Sequence, residues 1–338
     1  MKITTIGLDI AKNVFHLFAV NKMGKFVNKK QLKRKQLLAY MANLEPCLIA
    51  MEACGSANYW AREFIVLGHE VKLIAPQYVK PFVRGNKNDY NDAQGIAEAA
   101  QRPNMRFVPI KTVEQQDIQN IHRQRERIKK ARTALSNQIR GLLAEYGVVI
   151  HQGIAAVRKS LPEILEDADN GLTSYARELF AQLQEELWAL DERLKQCEQR
   201  IKASNRNNET VERLDEILGI GAITASATYA AAGDGKDFEN GRHFSAWLGL
   251  VPGQHSTGGK PTLLGISKRG NAYLRTLYIH GARAVLRHSA NKTDRFSLWV
   301  QGVMKRRGHN KACVAVANKM ARMAWVIMTK GERYRPAV

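Results

Sequence analysis

Cysteines are few in this chain and follow no pattern that would join them. The 338 residues contain four, Cys47, Cys54, Cys197 and Cys313, with no Cys-x-x-Cys pair and no spacing typical of zinc ligands. Long apolar runs are also missing, which excludes a membrane-spanning helix, and Asp9 interrupts the first apolar stretch, which argues against a signal peptide. We therefore expect a cytoplasmic protein with reduced thiols.

Acidic residues are scarce in the last third of the chain. Residues 241–338 contain 18 Lys and Arg but only two acids, Asp294 and Glu332, and the whole chain carries a formal net charge of +21. A basic block this one-sided favours a polyanionic partner, most simply nucleic acid, over a merely solvated surface.

Alternating strand and helix patterns fill the first 110 residues. Residues 3–10, 14–20 and a strand from Phe26 predict a three-stranded meander. Helices are expected over 31–43 and 57–67, and further strands over 47–53 and 71–75. This order predicts a mixed α/β sheet.

Four carboxylates stand out in this region. Asp9 and Glu52 end otherwise apolar strands, where each needs a partner, either a lysine such as Lys12 or Lys72 or a cation. Asn88 is a good N-cap for a helix in which Asp89 and Asp92, three residues apart, share one face. The pair could simply complement the helix dipole. Together the four acids predict instead a site for Mg²⁺ or Mn²⁺, with two ions as in many phosphoryl-transfer enzymes.

Two long helices are expected in the middle of the chain, over 112–146 and 171–202. Apolar residues recur with heptad-like spacing in both, which predicts an antiparallel helical pair or an inter-subunit coiled coil. The first helix also carries a crowd of cations that either contacts nucleic-acid backbone or is solvated: Arg123, Arg125, Arg127, Lys129, Lys130 and Arg132. Residues 147–162 are interpreted as a connection and 203–208 as a polar linker.

A glycine pair opens the C-terminal part. Gly219 and Gly221 lie between two helical stretches, as in a helix-hairpin-helix, whose free backbone N–H groups bind phosphate. The alternative is a tight turn between packed helices. Further helices are expected over 271–287 and 310–330.

The motifs GLDIAK around Asp9, MEACG around Glu52 and NKNDYNDA around Asp89 and Asp92 resemble the DEDD motifs of the transposases of insertion-sequence family 110, including its 1111 group and the related Piv DNA invertases. The resemblance covers nearly the whole chain. It implies a RuvC-like, RNase H-type domain in which Asp9, Glu52, Asp89 and Asp92 are metal ligands.

The sequence from Phe244 to Arg275 resembles the second domain of the same family, in which a serine is the nucleophile. Ser256 is our candidate, although some relatives place the serine where this chain has Thr257. A primary hydroxyl is the less hindered of the two. Side chains expected to bind the scissile phosphate or nearby nucleic acid are His255, Thr257, Lys260, Lys268, Arg269 and Arg275, while Gly258 and Gly259 allow close approach of the backbone.

The resemblance implies a DNA recombinase that works through a serine–DNA intermediate, guided by an RNA that the element encodes and assembled as a homo-oligomer, from dimer to tetramer. We expect a RuvC-like domain over 1–110, a helical coiled-coil region over 111–208 and a mainly α-helical transposase domain over 209–338. The alternatives are a RuvC-like nuclease that uses water and a non-catalytic nucleic-acid-binding scaffold. An actin-like ATPase fold is disfavoured, because the α/β half has no second glycine-rich phosphate loop.

Overall fold

The computed structural model describes residues 1–85 and 88–335, which form two compact units, 1–113 and 114–338. Asn86 and Lys87, which belong to the third acidic motif, lie outside the described residues. In the described part, no helix is long and apolar enough to cross a membrane.

The first unit is built on a six-stranded mixed sheet. Its strands are β1 (Thr5–Ile10), β2 (Val14–Val20), β3 (Phe26–Lys33), β4 (Leu48–Glu52), β5 (Glu70–Ile74) and β6 (Phe107–Val108), in the spatial order β3-β2-β1-β4-β5-β6. The first three strands form an antiparallel meander, and β4 and β5 extend it in parallel with β1. The predicted mixed α/β sheet is therefore confirmed.

In the described part of this unit, the α-helices around the sheet are α1 (Arg34–Ala42), α2 (Ala57–Val66), α3 (Pro76–Val79) and α4 (Asp89–Ala100). One core joins Phe15 of β2 to Trp60 and Phe64 of α2, with all three side chains almost fully buried. The prediction that the first helix starts at Gln31 was wrong. Residues 31–33 pair with β2 as the end of β3, because burial of Leu32 in the sheet outweighs the helical pattern.

The second unit begins with two helices of 32 residues each, α5 (Val113–Ala144) and α7 (Ser174–Asn205), with α6 (Ile154–Glu166) between them. Arg125 bonds to Glu198 at 2.7 Å and Arg132 to Asp191 at 3.0 Å. Since the partner's number falls as the arginine's rises, α5 and α7 run antiparallel.

Two predictions about the connections were wrong. Residues 147–162 are not a simple connection, because α6 forms there and buries Val157 and Leu161. The expected linker at 203–208 is partly helix, since α7 continues to Asn205, whose buried side chain donates to the Ala222 carbonyl at 2.9 Å. The polar composition of this segment predicts a linker, but the Nδ2 of Asn205 is bonded within the fold and the residue is buried.

The rest of the unit is mainly helical, as predicted. Its helices are α8 (Glu209–Asp215), α9 (Ala222–Ala232), α10 (Gly241–Trp247), α11 (Ala272–Ser289), α12 (Arg295–Arg307) and α13 (His309–Lys330). They enclose one core around the fully buried Tyr278 and Phe244. A hairpin, β7 (Pro252–Thr257) and β8 (Lys260–Ile266), projects from it with nearly all residues exposed.

Candidate active site

Close packing of α4 on β1 brings the acids of the first unit together. A Cβ on Gly7 would lie 2.1 Å from the Ala93 carbonyl oxygen and 2.5 Å from the Ala97 nitrogen, so only glycine lets the helix approach the strand this closely. Asn88 caps α4 by accepting a hydrogen bond from the Tyr90 N–H at 2.9 Å. The cap fixes the first turn of the helix, which carries Asp89 and Asp92.

Three carboxylates converge at this point. Asp9, near the end of β1, Asp89 and Asp92 each offer an oxygen, and these oxygens lie within 4.8 Å of one another. Glu52 ends the neighbouring strand β4 and is not part of this tight group, but its charge acts on Asp9. The structure thus gathers three of the four predicted ligands closely and places the fourth within electrostatic range.

The carboxylates of the cluster repel one another, and His16 offsets their charge only in part. Burial raises the pKa of Asp9 to about 6, and the charges of Asp92 and Asp89 add to the effect. Burial and Asp92 also raise the pKa of Glu52. Within 1–85 and 88–335 neither Asp9 nor Glu52 forms an ion pair with Lys or Arg, and Lys72 pairs instead with Glu70 at 2.9 Å.

Such a cluster fits a divalent cation. Its donors are all carboxylate oxygens, which suit hard ions such as Mg²⁺ or Mn²⁺ and not zinc. A cation there would replace the repulsion between the acids by attraction. The alternative, a lysine paired with Asp9 or Glu52, is not seen among the described residues.

One further residue of this site, His16, is absent from the predicted set. It pairs directly with Asp9 across the β1–β2 ladder, and its buried Nδ1 lies 3.4 Å from Asp89 Oδ2. The ring also packs edge-on against Tyr90, with centroids 4.8 Å apart. The short turn between the two strands fixes this register, so the hairpin pattern could have revealed His16.

The candidate nucleophile lies on the exposed hairpin of the second unit. Ser256 on β7 pairs with Pro261 on β8, and its Oγ accepts a hydrogen bond from Gln254 Nε2 at 2.8 Å. The turn consists of Gly258 and Gly259, with φ of +56° and +77°, a conformation that favours glycine at both positions. The hydroxyl is therefore presented to solvent on a defined strand.

Strand alternation separates the two candidate hydroxyls. Thr257 and His255 lie on the face of the hairpin opposite to Ser256, and they pair with Lys260 and Thr262. The expected phosphate-binding residues His255 and Lys260 therefore share a face with Thr257 and not with Ser256.

The remaining predicted cations lie where the hairpin joins the helical core. Arg275 Nη1 donates to the carbonyl oxygens of Leu248 at 3.1 Å and Arg269 at 3.3 Å, which ties the two ends of this segment together. Lys268 has a left-handed backbone, with φ of +54°. Arg269 and Lys268 are the more exposed of these cations, whereas Arg275 is half-buried and already bonded.

The glycine pair between α8 and α9 shows two different environments. Gly219 has φ of +87°, and a Cβ there would lie 2.7 Å from Val285 and 3.0 Å from the Gly281 carbonyl oxygen of α11. Gly221 precedes α9 and has open space around its Cα. Packing against α11 accounts for Gly219, and only Gly221 leaves backbone accessible.

Comparison with known proteins gives consistent matches along the chain. A model of DEDD transposases of the IS110 type, described as a transposase, matches residues 6–148, and one described as the transposase IS116/IS110/IS902 family matches residues 211–297. The chain is 50% identical to a probable family 20 transposase of Pseudomonas aeruginosa, over 99% of this chain and all of that one. It is 49% identical to the transposase for insertion sequence element IS1111A of Coxiella burnetii, over 98% and 92% of the two chains. A third relative, the transposase for insertion sequence element IS1328 of Yersinia enterocolitica, is 41% identical over 97% and 98%.

Proposed function

Because this chain belongs to the IS116/IS110/IS902 family of transposases, we propose that it moves DNA by metal-dependent cleavage and rejoining through a covalent serine–DNA intermediate. DNA transposition and DNA binding follow from membership of the family. The observation that carries the finer proposal is the convergence of Asp9, Asp89 and Asp92, with which no described Lys or Arg forms an ion pair.

Asp9, Asp89, Asp92 and Glu52 are the residues that would hold divalent cations, Mg²⁺ or Mn²⁺, two in the full proposal. Bound there, such ions supply Lewis-acid stabilisation of the charge that develops on phosphate oxygens and favour deprotonation of an attacking hydroxyl. The buried ring of His16, with Nδ1 3.4 Å from Asp89 Oδ2, orients this carboxylate. In this proposal the acids position the phosphate, and a residue of the second unit provides the nucleophile.

Ser256 is the proposed nucleophile. Its Oγ attacks the scissile phosphorus, an Oγ–P bond forms, the P–O bond to the departing strand breaks, and that strand leaves as a hydroxyl after taking up a proton. Attack by the hydroxyl of another strand reverses the step and frees Ser256. Because the phosphodiester energy is kept in the intermediate, rejoining needs no ATP. Lys268 and Arg269 are the exposed cations beside the hairpin that suit the scissile phosphate.

The experiment uses end-labelled target DNA and looks for label that migrates with denatured protein. Ser256→Ala should lose both cleavage and the adduct while still binding DNA, and Thr257→Ala, on the opposite face, should retain activity. Asp9→Asn and Asp89→Asn should abolish cleavage and leave binding largely intact. An adduct that survives Ser256→Ala and disappears in Thr257→Ala transfers the role to Thr257.

Cleavage by the unmodified protein without any adduct under trapping conditions supports the alternative, a nuclease that uses water. Near-normal cleavage by Asp9→Asn defeats the metal-site proposal. Full binding without any cleavage, with Mg²⁺ or Mn²⁺ present, supports a non-catalytic scaffold.

The finer architecture is also part of the proposal. The sheet order, with an antiparallel meander extended by two parallel strands, supports a RuvC-like, RNase H-type first domain. The antiparallel α5–α7 pair supports a coiled-coil region up to residue 208, followed by a transposase domain in which α8 and α9 form a helix-hairpin-helix with Gly221 towards phosphate.

We further propose that a guide RNA encoded by the element directs the reaction, that the working form is a homo-oligomer from dimer to tetramer, and that it acts at the bacterial nucleoid in the cytoplasm. The basic block over 241–338 supports a nucleic-acid partner, which includes RNA as well as the target DNA. Sequencing RNA that copurifies with the protein tests the guide, and light scattering of the purified complex tests the assembly.

A further inference from the structure

A large cavity lies in the second unit, and no residue of the β7–β8 hairpin lines it. It has a volume of about 1080 Å³ and is bordered by the start of α10, by α12, by α13 and by the tail after α13. This is at or above the upper end of pockets that hold small molecules, roughly 300–1,000 Å³. It therefore has room for more than a simple ion.

The charge around this cavity is strongly positive. Its cations are Arg242, Lys319, Arg322, Arg333 and Arg335, against one acid, Glu332. Arg333 is neutralised by Glu216 at 2.7 Å. Among the described residues, Arg242, Lys319 and Arg322 have no acidic partner within ion-pair distance, so positive charge converges without compensation.

Aromatic rings accompany these cations. Lys319 Nζ lies 4.4 Å from the ring centroid of Trp299 and 5.2 Å from that of Phe296, and the two rings are stacked on each other. Burial and the charges of Arg295 and Arg322 lower the pKa of Lys319. This lysine is thus held on an aromatic platform beside like charges, an arrangement that an incoming anion stabilises.

A ligand that carries both phosphate and a flat ring matches a cavity lined by cations and aromatic side chains. Bases of unpaired strands stack on aromatic side chains and on guanidinium planes, at about 1–3 kcal/mol per base, while Lys and Arg contact the backbone. Bases within a duplex are already stacked on each other and cannot enter a cavity. We propose that this cavity binds nucleotides of an unpaired nucleic-acid strand, with Arg242, Lys319 and Arg322 on its phosphates and Trp299 beside its bases.

The inference rests on the proposed function only in taking nucleic acid as the partner. Binding is measured without divalent cations, because cleavage requires them and binding in this cavity does not. A loss of cleavage and a loss of binding in the cavity can then be told apart. The probes are fluorescein-labelled 12-nucleotide RNA, DNA of the same sequence and the corresponding DNA duplex, each titrated with the full-length chain and followed by anisotropy at several salt concentrations.

The test variant is Lys319→Gln/Arg322→Ala, and the matched control is Lys311→Ala, which removes an exposed cation from the same helix outside the cavity. The double variant should bind the single strand about 10-fold more weakly, and its salt slope should fall by about 1.4, since each single-strand phosphate contact contributes about 0.7. The control should change affinity less than about 2-fold. Arg242→Ala, at the exposed start of α10, repeats the test if the double variant fails to fold.

Loss confined to RNA identifies an RNA strand as the ligand, loss confined to single-stranded DNA identifies DNA, and loss for both shows a site without sugar preference. Each supports the proposal. Unchanged single-strand binding by folded variants overturns it, and so does an equal loss for the duplex, because the cations would then act only as a general basic surface.

Discussion

Gly7 is the residue on which the geometry of the acidic site depends most directly. A methyl group there would overlap the Ala93 carbonyl oxygen at 2.1 Å and the backbone of Ala97, neither of which can move without shifting α4. We expect Gly7→Ala to destabilise the first unit by about 1–3 kcal/mol through overpacking. It should also weaken Mn²⁺ binding, because Asp89 and Asp92 move away from Asp9 with the helix.

Thermal unfolding and Mn²⁺ titration of the same preparation measure both effects. Gly55→Ala is the matched control, since a Cβ at that position meets nothing within 4 Å. If Gly7→Ala binds Mn²⁺ as tightly as the parent chain, the packing of α4 on β1 does not set the site.

Asp9 gives the site a pH dependence whose sign follows from its environment. Its pKa is raised from 3.8 to about 6, so in the metal-free protein the carboxyl is largely protonated at about pH 5.5 and ionised at about pH 8. Since a ligand carboxylate must be deprotonated, cation binding should release protons at the lower pH and almost none at the higher. Calorimetric Mn²⁺ titrations in buffers of different ionisation enthalpy measure this release, and equal release at the two pH values would contradict it.

At the scale of whole elements, a buried histidine joins three helices of the second unit. His122 of α5 contacts Tyr273 of α11 and Ser226 of α9, each at 2.9 Å. Burial, with the nearby Arg125, lowers its pKa from 6.5 to about 4. The ring is neutral in the folded protein, and its two nitrogens serve one donor and one acceptor.

Because the folded-state pKa lies below the unfolded one, the unfolded chain takes up a proton first as pH falls. The stability that neutral His122 contributes is present above about pH 6.5 and is lost towards pH 4, on the order of 3 kcal/mol in full. Denaturant unfolding at about pH 7 and about pH 4.5 measures the loss. His122→Gln should flatten this dependence, whereas His280→Gln, an exposed histidine on α11, should leave it as in the parent chain.

The elements that sequence predicted well are those whose signal is local. The alternation of apolar and polar residues predicted the meander, and the Asn88 cap with the acids after it predicted α4. Both signals come from side chains two to four residues apart. His16 and the face of Ser256 follow from the pairing register of a hairpin, which the sequence indicates only through the turn. Helix α6 was not predicted, because it depends on packing against distant residues. The Gly7 contact belongs to the same class, because nothing near Gly7 in sequence indicates which helix will lie on it.

At the scale of the whole molecule, the charge is divided unevenly. Residues 114–240 contain 17 Lys and Arg against 21 acids, whereas 241–338 contain 18 against two. Many cations in the middle are neutralised locally, as Arg125 is by Glu198 at 2.7 Å and Arg132 by Asp191 at 3.0 Å. The excess that attracts polyanions therefore resides outside the helical pair.

This division predicts which cations set the salt dependence of DNA binding. Lys305, Arg306 and Arg307 end α12 and are exposed, and no described acid forms an ion pair with them. If each contacts a phosphate of duplex DNA, replacing all three by Gln should lower the slope of log affinity against log salt by up to about 2.7, at about 0.9 per contact.

The matched control replaces Lys129, Lys195 and Lys236, which are paired with Glu126, Glu192 and Asp234. Those cations already have counter-charges in the protein, so their loss should leave the slope nearly unchanged. Anisotropy titrations of one duplex at four salt concentrations measure both variants, and equal slopes for the two would show that binding responds only to net charge and not to where the charge lies.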